Sequence, residues 1–264
     1  MKRMAMVCLV VMLQCVSVIA DPNGKNLAEI TEEWSPHGFL STTWQQQYIG
    51  LRVSGVFYKE SMLWTELYLN LPNNFFMDLW WSADLQDSDL SSTGGDEFDT
   101  TFGWQTKFFG LDAMVSVSQF TCLPSKGFLG EGHAWSPDLI LSKSFKINEK
   151  HTVTPAFWIG YLSFNDDFWK GALYTLPNIR HDWKEPFGIE KLTFSHTVMF
   201  PWDDGFIANS SDGLFFRWMP AFNWQLSKHL TLTAPGVIIV EPITDPHDGR
   251  GDEISLNFSL AYHF

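Results

Sequence analysis

Two short clusters in the sequence carry residue types that can activate water. Asp87-Ser88-Asp89 and Asp245-Pro246-His247 each hold two polar groups two residues apart, and an Asp–His pair can act as a general base. Both lie in loop-like sequence. Asp-x-Asp recurs in any acidic loop, and Pro246 interrupts the second pair. Ser195 and His196 supply a nucleophile and a base, but adjacent residues on a strand point to opposite faces and cannot form a dyad there. Cys122 is the one cysteine beyond the first twenty residues, which excludes an intramolecular disulfide in the remaining chain. A lone cysteine of this kind reads as a small buried hydrophobe. The acidic loops offer hard oxygen ligands but no EF-hand spacing, so no metal site, cofactor or catalytic residue is assigned.

A second set of side chains is more informative, because it repeats at period two. In segment 61–71, Trp64, Glu66, Tyr68 and Asn70 share one face, opposite Leu63, Leu67 and Leu69. The same logic places Phe76, Asp78 and Trp80 together, with Asp99, Lys107, Arg217 and Glu241 on further segments. Aromatic faces stack on flat or ring-shaped solutes, and polar groups fix their orientation. Sugars, nucleosides and aromatic acids suit such a lining, and opposed charges of both signs set a field that selects ions. The competing reading is that the rings fill an interior and the charges pair with one another.

These side chains need strands to position them. Alternation marks twelve segments: 38–50, 61–71, 75–85, 96–107, 111–122, 135–147, 152–164, 172–182, 189–201, 213–226, 230–242 and 252–264. Ten strands are also compatible with the pattern. The connections alternate between short ones, such as Pro72-Asn73-Asn74 and Phe109-Gly110, and longer ones, such as 51–60, 86–95, 123–134 and 243–251. This rhythm predicts an all-β fold: a transmembrane antiparallel up-and-down β-barrel, with both chain ends on the short-turn side. Spanning strands need about 9–11 residues, and the segments reach that length. Trp44, Tyr48, Trp81, Trp104, Trp224, Tyr262 and Phe264 fall near strand ends, where interfacial girdles are expected. Loops 86–95 and 123–134 are the candidates for blocking the lumen.

Composition agrees. Of 264 residues, 16% are aromatic and only 18% charged, while mean hydropathy is −0.07. A barrel averages an oily exterior with a wet interior, which explains so many rings at near-zero hydropathy. The 17 basic and 30 acidic residues argue against nucleic acid as a partner. Acidic residues concentrate in the long loops, and such a rim draws in cations. Residues 1–20 read as a cleaved signal peptide: basic Lys2 and Arg3, an apolar run Met4–Leu13, and a small-residue site at Val18-Ile19-Ala20. Residues 21–37 then form a periplasmic segment and 38–264 the barrel.

The last strand, from Leu256 to Phe264, resembles the C-terminal signature of Gram-negative outer-membrane β-barrels. Phe258, Leu260, Tyr262 and Phe264 alternate with polar or small residues, with an aromatic third from the end and a terminal Phe. The resemblance implies outer-membrane localisation and an address read by the barrel-assembly machinery, with outer-membrane lipids and lipopolysaccharide as surroundings. Length and strand number are similar, more loosely, to small porin-like families such as TorF-type porins and nucleoside-specific Tsx channels; no functional residue is carried over from them. The acid pairs loosely resemble those of omptin proteases. The sequence therefore predicts a porin-like channel for small polar solutes, cation-preferring, non-enzymatic and monomeric by analogy. A barrel without an open pore is the first alternative and a barrel hydrolase the second.

Overall fold

A computed structural model describes residues 37–52, 54–85, 97–122, 133–164, 171–205 and 211–264. The expected signal peptide, loop 86–95, nearly all of 123–134 and the Asp87-Ser88-Asp89 cluster lie outside the described residues. Twelve strands form one antiparallel sheet. They are β1 His37–Gln45, β2 Met62–Asn70, β3 Phe75–Asp84, β4 Glu97–Phe108, β5 Leu111–Cys122 and β6 His133–Ser142. The second half comprises β7 His151–Phe164, β8 Ala172–Lys184, β9 Leu192–Met199, β10 Gly213–Gln225, β11 Leu230–Pro242 and β12 Glu253–His263. β1 pairs with β2 on one side and with β12 on the other, so the sheet closes on itself. Closure pairs the backbone groups that an edge strand would leave open, the condition a sheet must meet in hydrocarbon.

The short-turn end is built from tight hairpins. Phe109 and Gly110 both have positive φ, 49° and 76°, as a two-residue turn matched to strand twist requires. At the other tight turn, Asn73 and Asn74 take left-handed conformations that Asn tolerates, and the Leu71 N–H donates to the Phe75 carbonyl. The first and last strands meet at this rim, where Gly38 and Phe264 exchange backbone hydrogen bonds of 3.1 and 3.2 Å.

Interruptions of the ladder fall at prolines, which bring no N–H to it. β6 breaks after Ser142, opposite Pro155, and resumes briefly at Phe145–Lys146. β9 breaks after Met199, opposite Pro177, and resumes at Trp202–Asp203. β11 shifts register against both neighbours between Thr233 and Gly236, around Pro235.

Alternation divides the sheet into two faces. Ile254, Leu256, Phe258, Leu260 and Tyr262 of β12 are exposed on the outside, while Ser255 is buried inside. Trp81, Phe98, Phe102, Trp104, Val115 and Val117 continue the exposed apolar exterior. Trp44 packs on Phe258. The inner face carries Ser41, Thr43, Gln45, Ser116, Ser118, Ser136 and Asp138, all buried. An apolar outside around a polar inside is the inverse of a soluble barrel.

Candidate functional site

Strands β2 to β4 present one wall of the lumen. The pairing register sets Glu66 beside Trp80, Tyr68 beside Asp78, Asp78 beside Thr101, and Trp80 beside Asp99. Rings and carboxylates therefore alternate over the surface. Tyr68 stacks between Phe39 and Phe76, with centroids 5.4 and 5.5 Å away. Its hydroxyl accepts a hydrogen bond from Gln105 Nε2 at 2.5 Å. Trp80 contacts Trp64 at 5.9 Å and Tyr48 at 5.6 Å, and Trp64 Nε1 donates to Gln45 Oε1 at 3.3 Å. Gly103 leaves the room that Phe76 fills: a Cβ there would sit 2.4 Å from the Phe76 ring.

The connection between β1 and β2 folds inward over this wall. It forms a small ribbon, Tyr48–Ile49 paired with Val56–Tyr58, closed by Gly50 N–H donating to Gly55 at 2.8 Å. Ile49 is buried with Phe215 and Val240, and Leu51 packs against the cluster of Ala134, Leu162, Ala172, Tyr174, Leu176 and Met199. Two arginines fix the loop across the lumen. Arg217, buried on β10, donates through Nη1 to the Gly50 carbonyl at 2.7 Å. Arg52 reaches the far wall: Nε donates to the Tyr174 hydroxyl at 2.9 Å, and Nη2 to Ser118 at 3.3 Å and Asp138 Oδ2 at 3.2 Å. Its guanidinium also lies over Phe120 and Trp158, 4.6 and 4.9 Å from their centroids. Asp138 further accepts from Trp158 Nε1 at 2.9 Å, from Ser136 at 3.2 Å and from the Tyr174 hydroxyl. A buried carboxylate is tolerable only with such a set of donors. The loop thus crosses the lumen from β1 to β8, while 86–95 and nearly all of 123–134, the expected blocking loops, lie outside the described residues.

Toward the short-turn end a second polar band crosses β8 to β11. Arg180 pairs with Asp182 at 2.9 Å, Ser195 donates to Asp182 at 2.5 Å, Asn223 Nδ2 donates to Ser195 at 3.1 Å, and Thr233 donates to Asn223 at 2.8 Å. At the long-loop end Arg250 binds Asp203 at 2.5 Å and Asp248 at 2.8 Å, in a buried cluster under the rim.

These pairings leave the lumen charge unbalanced. Arg52, Lys107, Arg180 and Arg250 each have a carboxylate partner. Among the described residues, Glu66, Asp78, Glu97 and Asp99 form no ion pair, and Arg217 is the inward cation with none. Glu97 and Asp99 share a side-chain hydrogen bond, Tyr48 reaches Glu97, and Ser41 reaches Glu66.

Of the residues expected in the lumen, Trp64, Glu66, Tyr68, Phe76, Asp78, Trp80 and Asp99 fall on the one β2–β4 wall. Arg217 faces inward under the loop. Lys107 sits at the short-turn rim, exposed and ion-paired with Asp112. Glu241 does not face inward: it is exposed and pairs with Phe216 on the outer face. The register shift around Pro235 inverts the alternation of β11, so the parity read from its first half fails in its second. Tyr48, expected in an interfacial girdle, turns inward onto Trp80. Arg52 was not legible as a site residue. Its signal was local: it sits alone in Tyr48-Ile49-Gly50-Leu51-Arg52-Val53, a stretch too apolar for a free external loop.

Of the hydrolytic candidates within the described residues, Asp245 and His247 meet at the rim and Ser195 and His196 do not meet. His247 Nδ1 lies 3.0 Å from Asp245, but both side chains are 73% exposed. The Asp245 carboxylate also caps the local turn, accepting from the His247 N–H at 2.8 Å. Ser195 bonds inward to Asp182, while His196 bonds to His181, whose other ring nitrogen meets His151 in a row of imidazoles. Ser195 and His196 thus engage separate partners.

No family model and no curated protein matches the chain. Solved structures share its fold. The KdgM porin superposes with a TM-score of 0.52 at 9% identity, covering 86% of this chain and 99% of its own. An outer-membrane channel from Pseudomonas putida F1 gives 0.52 at 12% identity, over 88% and 96%. LpxR from Salmonella typhimurium gives 0.51 at 7% identity, over 86% and 100%. The chain is similar in fold to small outer-membrane porins and channels, and the same barrel is shared by LpxR.

Proposed function

We propose that the chain is an outer-membrane channel for small polar solutes, constricted by the β1–β2 loop and selective for cations. The observation that carries this reading is the polar inner face of a closed twelve-strand barrel, on which, among the described residues, Glu66, Asp78 and the hydrogen-bonded Glu97–Asp99 pair stand without an ion-pair partner against one such arginine. A filled structural barrel has no use for that surplus, because unpaired charge in a confined interior is costly. In a water-filled passage the same charge concentrates cations. Fold similarity to the KdgM porin and to the Pseudomonas channel supports a transport role without identifying the solute.

The test is conductance of refolded protein in planar bilayers across a KCl gradient. Single-channel steps with a reversal potential on the potassium side are expected. Absence of steps, together with no solute entry in liposome swelling, refutes the channel. A reversal potential on the chloride side refutes cation preference.

A second reading has its own observation. The Arg52 contacts tie the loop to the opposite wall, and a barrel closed in this way would serve as a surface or structural element. The bilayer measurement separates the two: a closed barrel gives no steps in the wild type, and Arg52→Ala then creates them.

A further inference from the structure

We infer that the β2–β4 wall is a binding site for an organic ammonium group carried on a flat apolar body. This deepens the channel reading by naming the class of solute, and relies on that reading only for the solute's way in.

Unmet hydrogen bonds point to the wall. Among the described residues, the buried side-chain atoms without a hydrogen-bond partner are Thr43 Oγ1, Ser54 Oγ, Asp78 Oδ1, Asp99 Oδ1 and His196 Nδ1. Three of these lie on the same inner surface, on β1, β3 and β4. Thr43 pairs with Trp64, Asp78 lies beside Tyr68, and Asp99 lies beside Trp80. Ser54 belongs to the loop that folds over it. Buried polar atoms are nearly always satisfied, so a concentration of such atoms on one surface marks where water, or a solute that displaces it, supplies the bond.

The chemistry of these atoms selects the molecule. The ionised Asp78 carboxylate only accepts, so its partner must donate, and Asp99, which shares a proton with Glu97, offers Oδ1 as a further acceptor. Arg52 acts on Asp78 and Asp99 only through space, and no lysine or arginine of the described residues forms an ion pair with either, so a donor that is also a cation meets both needs. The surfaces between the carboxylates are ring faces, Tyr48 on Trp80 and Trp80 against Trp64. Such faces attract cations and cover flat apolar groups. A neutral polyol would satisfy the oxygens and leave the charge unmet. An anion would be repelled by the carboxylates.

Phenethylammonium is a suitable probe, with phenylacetate as the same ring bearing the opposite charge. Binding is read from tryptophan fluorescence of protein refolded in detergent micelles, with folding checked by circular dichroism and heat-modifiable gel mobility. Saturable quenching by phenethylammonium and none by phenylacetate is expected. Asp78→Asn with Asp99→Asn weakens binding by about tenfold or more. Trp80→Leu, which keeps both carboxylates, does the same. If the double variant fails to fold, Glu66→Gln replaces it, with weakened binding again expected. Equal quenching by both probes, or unchanged affinity in the folded variants, overturns the site. The micelle titration needs no through-pore, so it succeeds or fails independently of channel conductance. Bilayer currents without phenethylammonium binding would leave the channel reading standing and remove this one.

Discussion

Arg52 and Asp138 join a loop to the wall opposite its own strands, with Nη2 3.2 Å from Oδ2 and the carboxylate side chain only 1% exposed. The pair lies 86 residues apart in sequence, and every other donor to Asp138 comes from the barrel wall itself. Removing Arg52 therefore does two things at once. It releases the loop, and it strands a buried negative charge. Arg52→Ala is expected to raise single-channel conductance in planar bilayers and to lower stability, by an amount approaching the roughly 3–5 kcal/mol of a broken buried pair. Arg52→Ala with Asp138→Asn keeps the larger conductance and recovers part of the stability, as urea titration of vesicle-inserted protein will read. Unchanged conductance in both variants would show that the loop does not limit flow.

Gly160 tests the same latch from the wall side. A Cβ at this position would meet Asp138 Oδ1 at 2.3 Å and the Tyr174 hydroxyl at 2.4 Å. Real Cβ contacts of that length do not occur, so Gly160→Ala must displace the two groups that receive Arg52. The expected result is a conductance like that of Arg52→Ala with the arginine still present. If Gly160→Ala behaves as wild type, the wall gives way without disturbing the latch and the coupling is wrong.

Ion selectivity should follow the lumen charges residue by residue. At about 8 Å and aqueous screening, one charge contributes roughly 0.5 kcal/mol to a passing ion, or about a twofold change in permeability ratio. Asp78→Asn and Glu66→Gln are expected to move the reversal potential toward chloride by steps of that order. Arg217→Gln moves it toward potassium. Asp182→Asn, which leaves Arg180 without its carboxylate partner, moves it toward chloride by a comparable step. The differences shrink as salt rises, because the Debye length shortens. A variant series in which neutralising these carboxylates leaves the reversal potential unchanged would refute the accounting.

The barrel itself was legible because its signal is repeated. Strands β2, β4 and β12 alternate cleanly, and an apolar outer and a polar inner surface force that pattern on each of them. The seven wall residues from Trp64 to Asp99 followed from the same parity. What escaped was whatever breaks parity or leaves the strands. Pro235 inverts β11, so Glu241 was placed on the wrong face, and no local feature tells a bulge from an ordinary strand proline. Tyr48 looked like a girdle residue because sequence distance from a strand end does not say whether the following loop turns outward or inward. Arg52 depends on contacts with Ser118, Asp138 and Tyr174, which closure of the barrel alone brings together.

The two faces make opposite predictions for the same substitution. Phe102 is exposed on the outer surface of β4, and its neighbour Thr101 faces the lumen, where its hydroxyl meets that of Ser118 at 2.8 Å. Lysine at an outward midplane position must bring its charge into hydrocarbon, at a cost of about 2–4 kcal/mol. Lysine at an inward position meets a polar lumen with surplus negative charge. Phe102→Lys is therefore expected to lose that much free energy of folding into lipid vesicles, measured by urea titration. Thr101→Lys folds with a far smaller loss and shifts the reversal potential toward chloride. In a soluble barrel the order reverses, because an exposed lysine costs little in water and one in the interior costs a great deal. The sign of the difference between these two neighbouring positions therefore decides whether the exterior of the sheet meets lipid or water.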